Sequence, residues 1–342
     1  MHTLQLNFRI FSFFGVWRPL KWSAGYKAVF YNCYTTIVIS FLYTFASSQF
    51  IDLTVSSENV KEFTHGSYMF LTVVAACGKG AVLLKQRNQI IHLTNVLRNE
   101  ICKPRNNDET EMQIQSERDA RATTLLFTTI TGTTASLITL RSLWLDIPGR
   151  NMPFKGWLPY DHKSSEIGYW VGYFHQLIAH ATVAALNTSF DTLVPGFVQS
   201  ICAQMNILKY RIKSLPQSVE NNKESQANRL SLESKLLAEC LRHHVQIFQL
   251  ANSLTNIFSN IVFFQIVLSS LILCVSAYEA SAMKLFSSEF TAIMMYLCCM
   301  ITEIFLYCFY GGQLKFQSLG ICDAVYQMNW SALNIKTKKT ML

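Results

Sequence analysis

Uncharged residues in this 342-residue chain collect into six long runs, separated by segments that carry nearly all of its Asp, Glu, Lys and Arg. Residues 28–51, 122–140, 167–190 and 243–278 contain no formal charge, 63–84 contains only Lys79, and 290–314 contains only Glu303. Crossing roughly 30 Å of hydrocarbon takes about 20 apolar residues at 1.5 Å of rise each. The pattern therefore predicts an all-α polytopic membrane bundle with six spans, over about 28–51, 63–84, 122–143, 167–190, 254–278 and 290–314. The third is rich in Thr, whose hydroxyls can bond back to the carbonyls of their own helix.

Two of the runs are too long for a bilayer. The stretch 243–278 would measure about 54 Å as one helix, and 167–209, interrupted only by Asp191, about 63 Å. Their surplus is expected to project into the cytosol as a helical platform, with Pro195 bending the fourth span near where it leaves the lipid. Beyond the sixth span, Leu319, Cys322, Tyr326, Trp330 and Leu333 recur at helical spacing, which predicts a short amphipathic helix over about 315–333 packed on that platform.

Composition agrees with this reading. Half of the residues are apolar, 15% are charged and mean hydropathy is +0.21, which excludes a soluble enzyme as the default. The +8 formal net charge is a topology signal and gives no warrant for nucleic-acid binding. Twenty-two Lys and Arg fall in the amino terminus, the 85–121 and 209–242 loops and the tail, and six fall on the opposite side. Because cytoplasmic loops keep basic residues, the amino terminus is expected inside the cell. That orientation excludes a G-protein-coupled receptor. The early apolar run Ile10–Val16 is short and is followed by Arg18, Pro19 and Lys21, so the first span is expected to act as a signal anchor. None of the ten Cys lies in a predicted outer loop, so no external disulfide is expected.

Catalytic chemistry is not indicated. The chain has no H-E-x-x-H, no phosphate-cradling glycine loop and no G-x-S-x-G elbow, and no enzyme activity, metal or other cofactor is expected. Helical depth puts Lys79 and Asp191 near the inner interface and Glu303 deeper, where it can be neutral, meet water or pair with Lys79. Candidate ligand-binding residues are Tyr68 and Met69 of span two, Leu137 and Trp144 of span three, Tyr169, Tyr173 and Phe174 of span four, and Ile293 and Tyr296 of span six. Aromatic side chains with a few hydroxyls suit a mostly apolar pocket. The same residue types also make an interfacial aromatic belt.

The run YCFYGGQLKFQSLGICDAVYQMNW, residues 307–330, resembles the closing signature of insect odorant receptors, with Gly311, Leu314, Ser318, Ala324, Tyr326 and Trp330 in place. Residues 241–274 resemble the preceding part of that family, through His244, Phe258, Ser259, Gln265, Ser270 and Cys274. The resemblance implies a receptor in the plasma membrane of sensory neurons that binds a small volatile apolar ligand in the outer half of the bundle. It further implies a ligand-gated cation channel subunit in a heterotetramer with the family's coreceptor. His244, Phe258, Gly311, Ser318, Tyr326 and Trp330 would then belong to the assembly platform, with Tyr326 and Trp330 buried against spans four to six. Gustatory receptors share the fold and are the nearest alternative; a secondary transporter would show paired halves, which the chain lacks. After Trp330 the sequence continues for only twelve residues, SALNIKTKKTML, so the pore-lining half of the family's last segment is expected to be absent.

Overall fold

The computed structural model describes residues 4–22, 24–55, 60–161, 165–220, 226–285 and 287–341, and these are helical almost throughout, without a strand. A short helix, α1 (Gln5–Phe13), precedes α2 (Tyr26–Val55) and α3 (Val60–Lys85). α4 (Arg87–Val96) and a 3₁₀ turn at Glu100–Cys102 lead into α5 (Asn107–Leu145). α6 (Glu166–Glu220), α7 (Gln226–Ser281) and α8 (Ser288–Tyr326) follow, and a 3₁₀ turn at Trp330–Ala332 and α9 (Ile335–Met341) complete the order. Each predicted span falls inside one of α2, α3, α5, α6, α7 and α8. Lys163 and Lys223, part of the basic count, lie outside the described residues.

Local chemistry accounts for where the long helices begin. The Asn106 side chain accepts from the Glu109 amide at 2.9 Å and caps α5, with Asp108 and Glu109 in the first turn to complement the helix dipole. Ser287 caps α8 in the same way through the Phe290 amide at 3.1 Å, with Glu289 following. Along α5, Thr123, Thr124, Thr129, Thr131, Thr133 and Thr134 each donate to the carbonyl four residues back, so the Thr-rich stretch leaves few hydroxyls seeking partners.

α6 is the hub. It packs against α1, α2, α3, α5, α7 and α8, and every residue from Thr188 to Gln199 is buried. Among the described residues, five helices are both long and apolar enough to cross a membrane, and α6 is not one of them. A helix sheathed by its neighbours has no need of an apolar exterior, which lets it carry Thr182, Thr188, Ser189, Asp191 and Thr192 inward. Phe190, Phe197 and Phe258 form its aromatic centre, with ring centroids 5.7 and 6.2 Å apart. The helix runs without interruption through Pro195 and Pro216. α1 docks on it through Asn7, which donates to the Ser189 carbonyl at 2.8 Å and to Thr192 Oγ1 at 2.6 Å. Outward-facing Leu125, Leu126, Phe263, Leu271, Ile301 and Phe305 are exposed, as a bundle surrounded by lipid requires.

Two expectations change here. No break separates the sixth span from the helix after it, since α8 continues as one helix to Tyr326. Its inward side there is Ile321, Ala324 and Met328 of the following turn, so Tyr326 is 85% exposed and only Trp330 and Leu333 fold back against the core. A side chain two residues after Ala324 points about 200° away from it, too far to share its face.

At the end of the bundle bearing α4, beyond the spans, Arg211 of α6 organises a second buried centre. It holds Glu109 through two hydrogen bonds of 2.9 and 2.7 Å and donates to the carbonyls of Ile101 and Lys103. Arg211 also faces His243 Nδ1 at 3.2 Å, and His243 Nε2 faces Gln204 Oε1 at 3.0 Å. Arginine only donates, so Nδ1 must accept and Nε2 must carry the proton. Burial first, and then the neighbouring Arg211 and Arg105 cations, push the imidazole down from 6.5 to about 4. A base depressed on folding binds its proton more readily when unfolded. Stability is therefore retained above about pH 6.5 and lost as pH falls from there toward 4, by up to about 3 kcal/mol. His243→Gln should flatten the pH 7-to-5 fall in thermal stability of the detergent-solubilised chain, while lowering stability at pH 7. An unchanged pH slope would contradict a neutral His243.

Candidate ligand-binding site

A cavity of about 380 Å³ lies among the predicted spans, walled by α3, α5, α6, α7 and α8. Tyr68 and Tyr296 stand on one side with ring centroids 5.5 Å apart, and Thr72 and Tyr296 share a hydroxyl hydrogen bond of 2.5 Å. Thr188 Oγ1 donates to Thr131 Oγ1 at 2.9 Å across the α5–α6 face, and Thr134 meets Cys299 at 3.3 Å. Met69, Phe127, Ile138, Val183, Ile272, Ile293 and Met300 supply the apolar surface. The segment between α5 and α6 folds in over the cavity with Met152, Pro153 and Phe154. It is fixed there by the Phe154 amide donating to Gln176 Oε1 at 3.0 Å, by the Phe154–His180 ring contact at 4.7 Å, and by a reciprocal pairing of Trp157 with Ser48. A Cβ on Gly156 would stand 2.6 Å from Ser48 Oγ, so only glycine allows this approach.

Of the nine candidate ligand residues, Tyr68, Met69, Ile293 and Tyr296 line the cavity. The other five lie outside it. Leu137, Trp144 and Phe174 are 49, 80 and 53% exposed and face the surroundings, because the cavity side of α5 is set by Thr134, Ile138 and Arg141 and that of α6 by His180, Val183 and Asn187. Tyr169 and Tyr173 are buried, but in an aromatic cluster with Trp170, where Tyr173 meets Ser142 at 3.2 Å and Tyr169 donates to the Asn151 carbonyl at 3.3 Å. Gln49, Thr72, Thr131, His180, Asn187 and Gln265 also line the cavity and were not anticipated as ligand residues. Their signal is available in the sequence: uncharged polar side chains inside otherwise apolar runs.

The floor of the cavity is charged. Lys79 of α3 is fully buried and sits 2.7 and 2.8 Å from the two carboxylate oxygens of Asp191, with Glu303 of α8 at 3.7 Å. Tyr307 donates to Asp191 at 2.8 Å, and Gln265 of α7 donates to Glu303. Asp191 and Glu303 thus lie at one level of the bundle, joined through Lys79. Glu303 lies 3.7 Å from the same ammonium group, farther than either oxygen of Asp191.

The family model for the seven-transmembrane odorant receptors matches residues 59–342. This chain belongs to the odorant receptor family. Among relatives, odorant receptor Or1 of Anopheles gambiae is 23% identical over 220 residues, 58% of this chain and 53% of that protein. Odorant receptor 45a of Drosophila melanogaster is 25% identical over 300 residues, 86% of this chain and 75% of that one. The chain spans about half the length of most relatives it matches. Its fold is that of the olfactory receptor OR5 from Machilis hrabei, with a TM-score of 0.85 at 16% identity over 98% of this chain and 86% of that one. The same receptor in complex with eugenol gives 0.84.

In this odorant receptor the residues assigned to an assembly platform divide by position. His244, Gly311, Ser318 and Tyr326 are exposed and Trp330 is half-buried, whereas Phe258 belongs to the core around Phe190 and Phe197. The buried ion cluster makes a sharper demand on stability. Removing one partner of a buried pair leaves the other charge uncompensated, at a cost of about 3–5 kcal/mol. Lys79→Met should therefore abolish a folded, monodisperse receptor or lower its melting temperature sharply, and Asp191→Asn in the same chain should recover part of the loss. Thermal unfolding in detergent measures both; additive losses in the double variant would contradict the coupling.

Proposed function

We propose that this receptor binds a small, largely apolar volatile in the cavity between α3, α5, α6, α7 and α8, and that it acts in olfactory signalling. In this reading it is a subunit of a ligand-gated cation channel assembled with a coreceptor in the sensory neuron membrane. The observation that carries the reading is the cavity itself. A volume of about 380 Å³ with an apolar wall, two facing tyrosines and a few hydroxyls has the size and chemistry of a small-molecule site. The Machilis hrabei receptor of the same fold has been solved with eugenol, a molecule that suits such a space.

Ligand contact with Ile293, Tyr296 and Met300 acts on α8, which runs unbroken to Tyr326. A shift of its upper turns is passed rigidly to its lower end, where Phe316, Leu319 and Tyr326 are 75, 61 and 85% exposed. That unpaired apolar face supports assembly with other subunits there.

Filling the cavity should silence the receptor. Ile293→Trp is expected to remove odorant-evoked current in cells that also express a coreceptor, while Trp144→Ala, on the outer surface, leaves it within about twofold. Normal responses from Ile293→Trp at normal surface expression would place the ligand elsewhere. The inside amino terminus is tested separately and follows from the twenty-two-to-six distribution of Lys and Arg. An epitope tag at residue 1 should be stained only after permeabilisation, and staining of intact cells would reverse the topology.

A further inference from the structure

With Lys79, Asp191 and Glu303 all ionised, the floor of the cavity is short of one positive charge. Asp191 and Glu303 both line the cavity, and Lys79 is the cation paired with either of them among the described residues. Its ammonium group is committed to Asp191, at 2.7 and 2.8 Å, and Tyr307 completes that carboxylate. Glu303, 3.7 Å from the same nitrogen, is left with the Gln265 amide and a Ser269 hydroxyl at 3.5 Å. A buried carboxylate with so little compensation is costly.

Gln265 supplies an independent sign of what is missing. Its Nε2 donates to Glu303 and, at 2.9 Å, to Ser269. With Glu303 ionised this end is the NH₂, because a carboxylate only accepts. Its Oε1 is therefore a buried acceptor with no partner, on a residue 3% exposed that also lines the cavity. Two acceptors face the same space: Gln265 Oε1, which has no donor, and Glu303, whose neighbours Gln265, Ser269 and Lys79 all meet its Oε1.

We propose that the ligands of this receptor are small organic amines, bound as ammonium ions at Glu303 and Gln265 Oε1 with the apolar body against Tyr296, Ile293 and Met69. The proposal rests on the cavity being the odorant site. The ammonium makes the cluster two cations to two carboxylates and satisfies both acceptors, whereas a neutral alcohol supplies a donor but no charge. Such amines are volatile as free bases, and the remaining wall accepts the hydrocarbon.

Calorimetric titration of the purified full chain at neutral pH with 2-phenylethylamine, 2-phenylethanol and ethylbenzene tests this. The amine should bind at least about tenfold tighter than the alcohol, in keeping with a charge-assisted pairing. Glu303→Gln should weaken the amine by about thirtyfold or more and remove its preference over the alcohol. Equal affinity of the native chain for amine and alcohol overturns the proposal without recourse to any variant, and so does an amine preference that survives Glu303→Gln. Ile293→Trp separates the two levels of the argument. Loss of all three ligands in that variant, with no amine preference in the native chain, overturns the amine assignment alone; retention of all three overturns the cavity as the binding site and the amine assignment with it.

Discussion

The structure turns on a fully buried ammonium group. Lys79 from α3 meets Asp191 from α6 and Glu303 from α8, with Gln265 of α7 and Tyr307 of α8 closing the set. Between apolar helices, sliding or rotation changes little in the hydrophobic term, because lipid and neighbour are alike. A buried charge removes that freedom. Only one relative placement of four helices pairs it, and departures cost several kcal/mol. The cavity above is the space left once those helices are held.

α6 carries this constraint beyond the lipid. Asp191 and Arg211 are twenty positions apart on one helix, about 30 Å along its axis and on nearly opposite faces. The first engages α3 and α8; the second engages α5 and α7 through Glu109 and His243. One helix is thus gripped at two levels by different neighbours. Between them Phe197 packs against Phe258 of α7.

The six helical runs were legible because charge is excluded from lipid, and the two overlong helices because their charge-free stretches exceed a bilayer. What the sequence left open was rotation. In lipid both faces of a helix are apolar, so periodicity does not tell inside from outside: on α8, Met300 and Leu306 are buried while Ile301 and Phe305 are exposed. For this reason aromatic residues chosen by type divided between the cavity, as Tyr68 and Tyr296 did, and the exterior, as Trp144 and Phe174 did. Gln49, Asn187 and Gln265 carried the better signal, since a polar side chain in a span is costly unless it faces inward. The helix expected over about 315–333 runs on from the sixth span for a related reason. Lys315 marks where apolar composition ends, and a helix continues past that point wherever its backbone bonds are made.

The most direct measurement is a structure of the purified full chain with an iodinated small aromatic ligand, where the iodine locates the molecule by its scattering. The account predicts one strong site inside the bundle, between Tyr68, Tyr296, Met69 and Ile293 and above Glu303. A ligand found only on the lipid-facing surface beside Trp144 or Phe174, with the central cavity empty at saturating concentration, would contradict it.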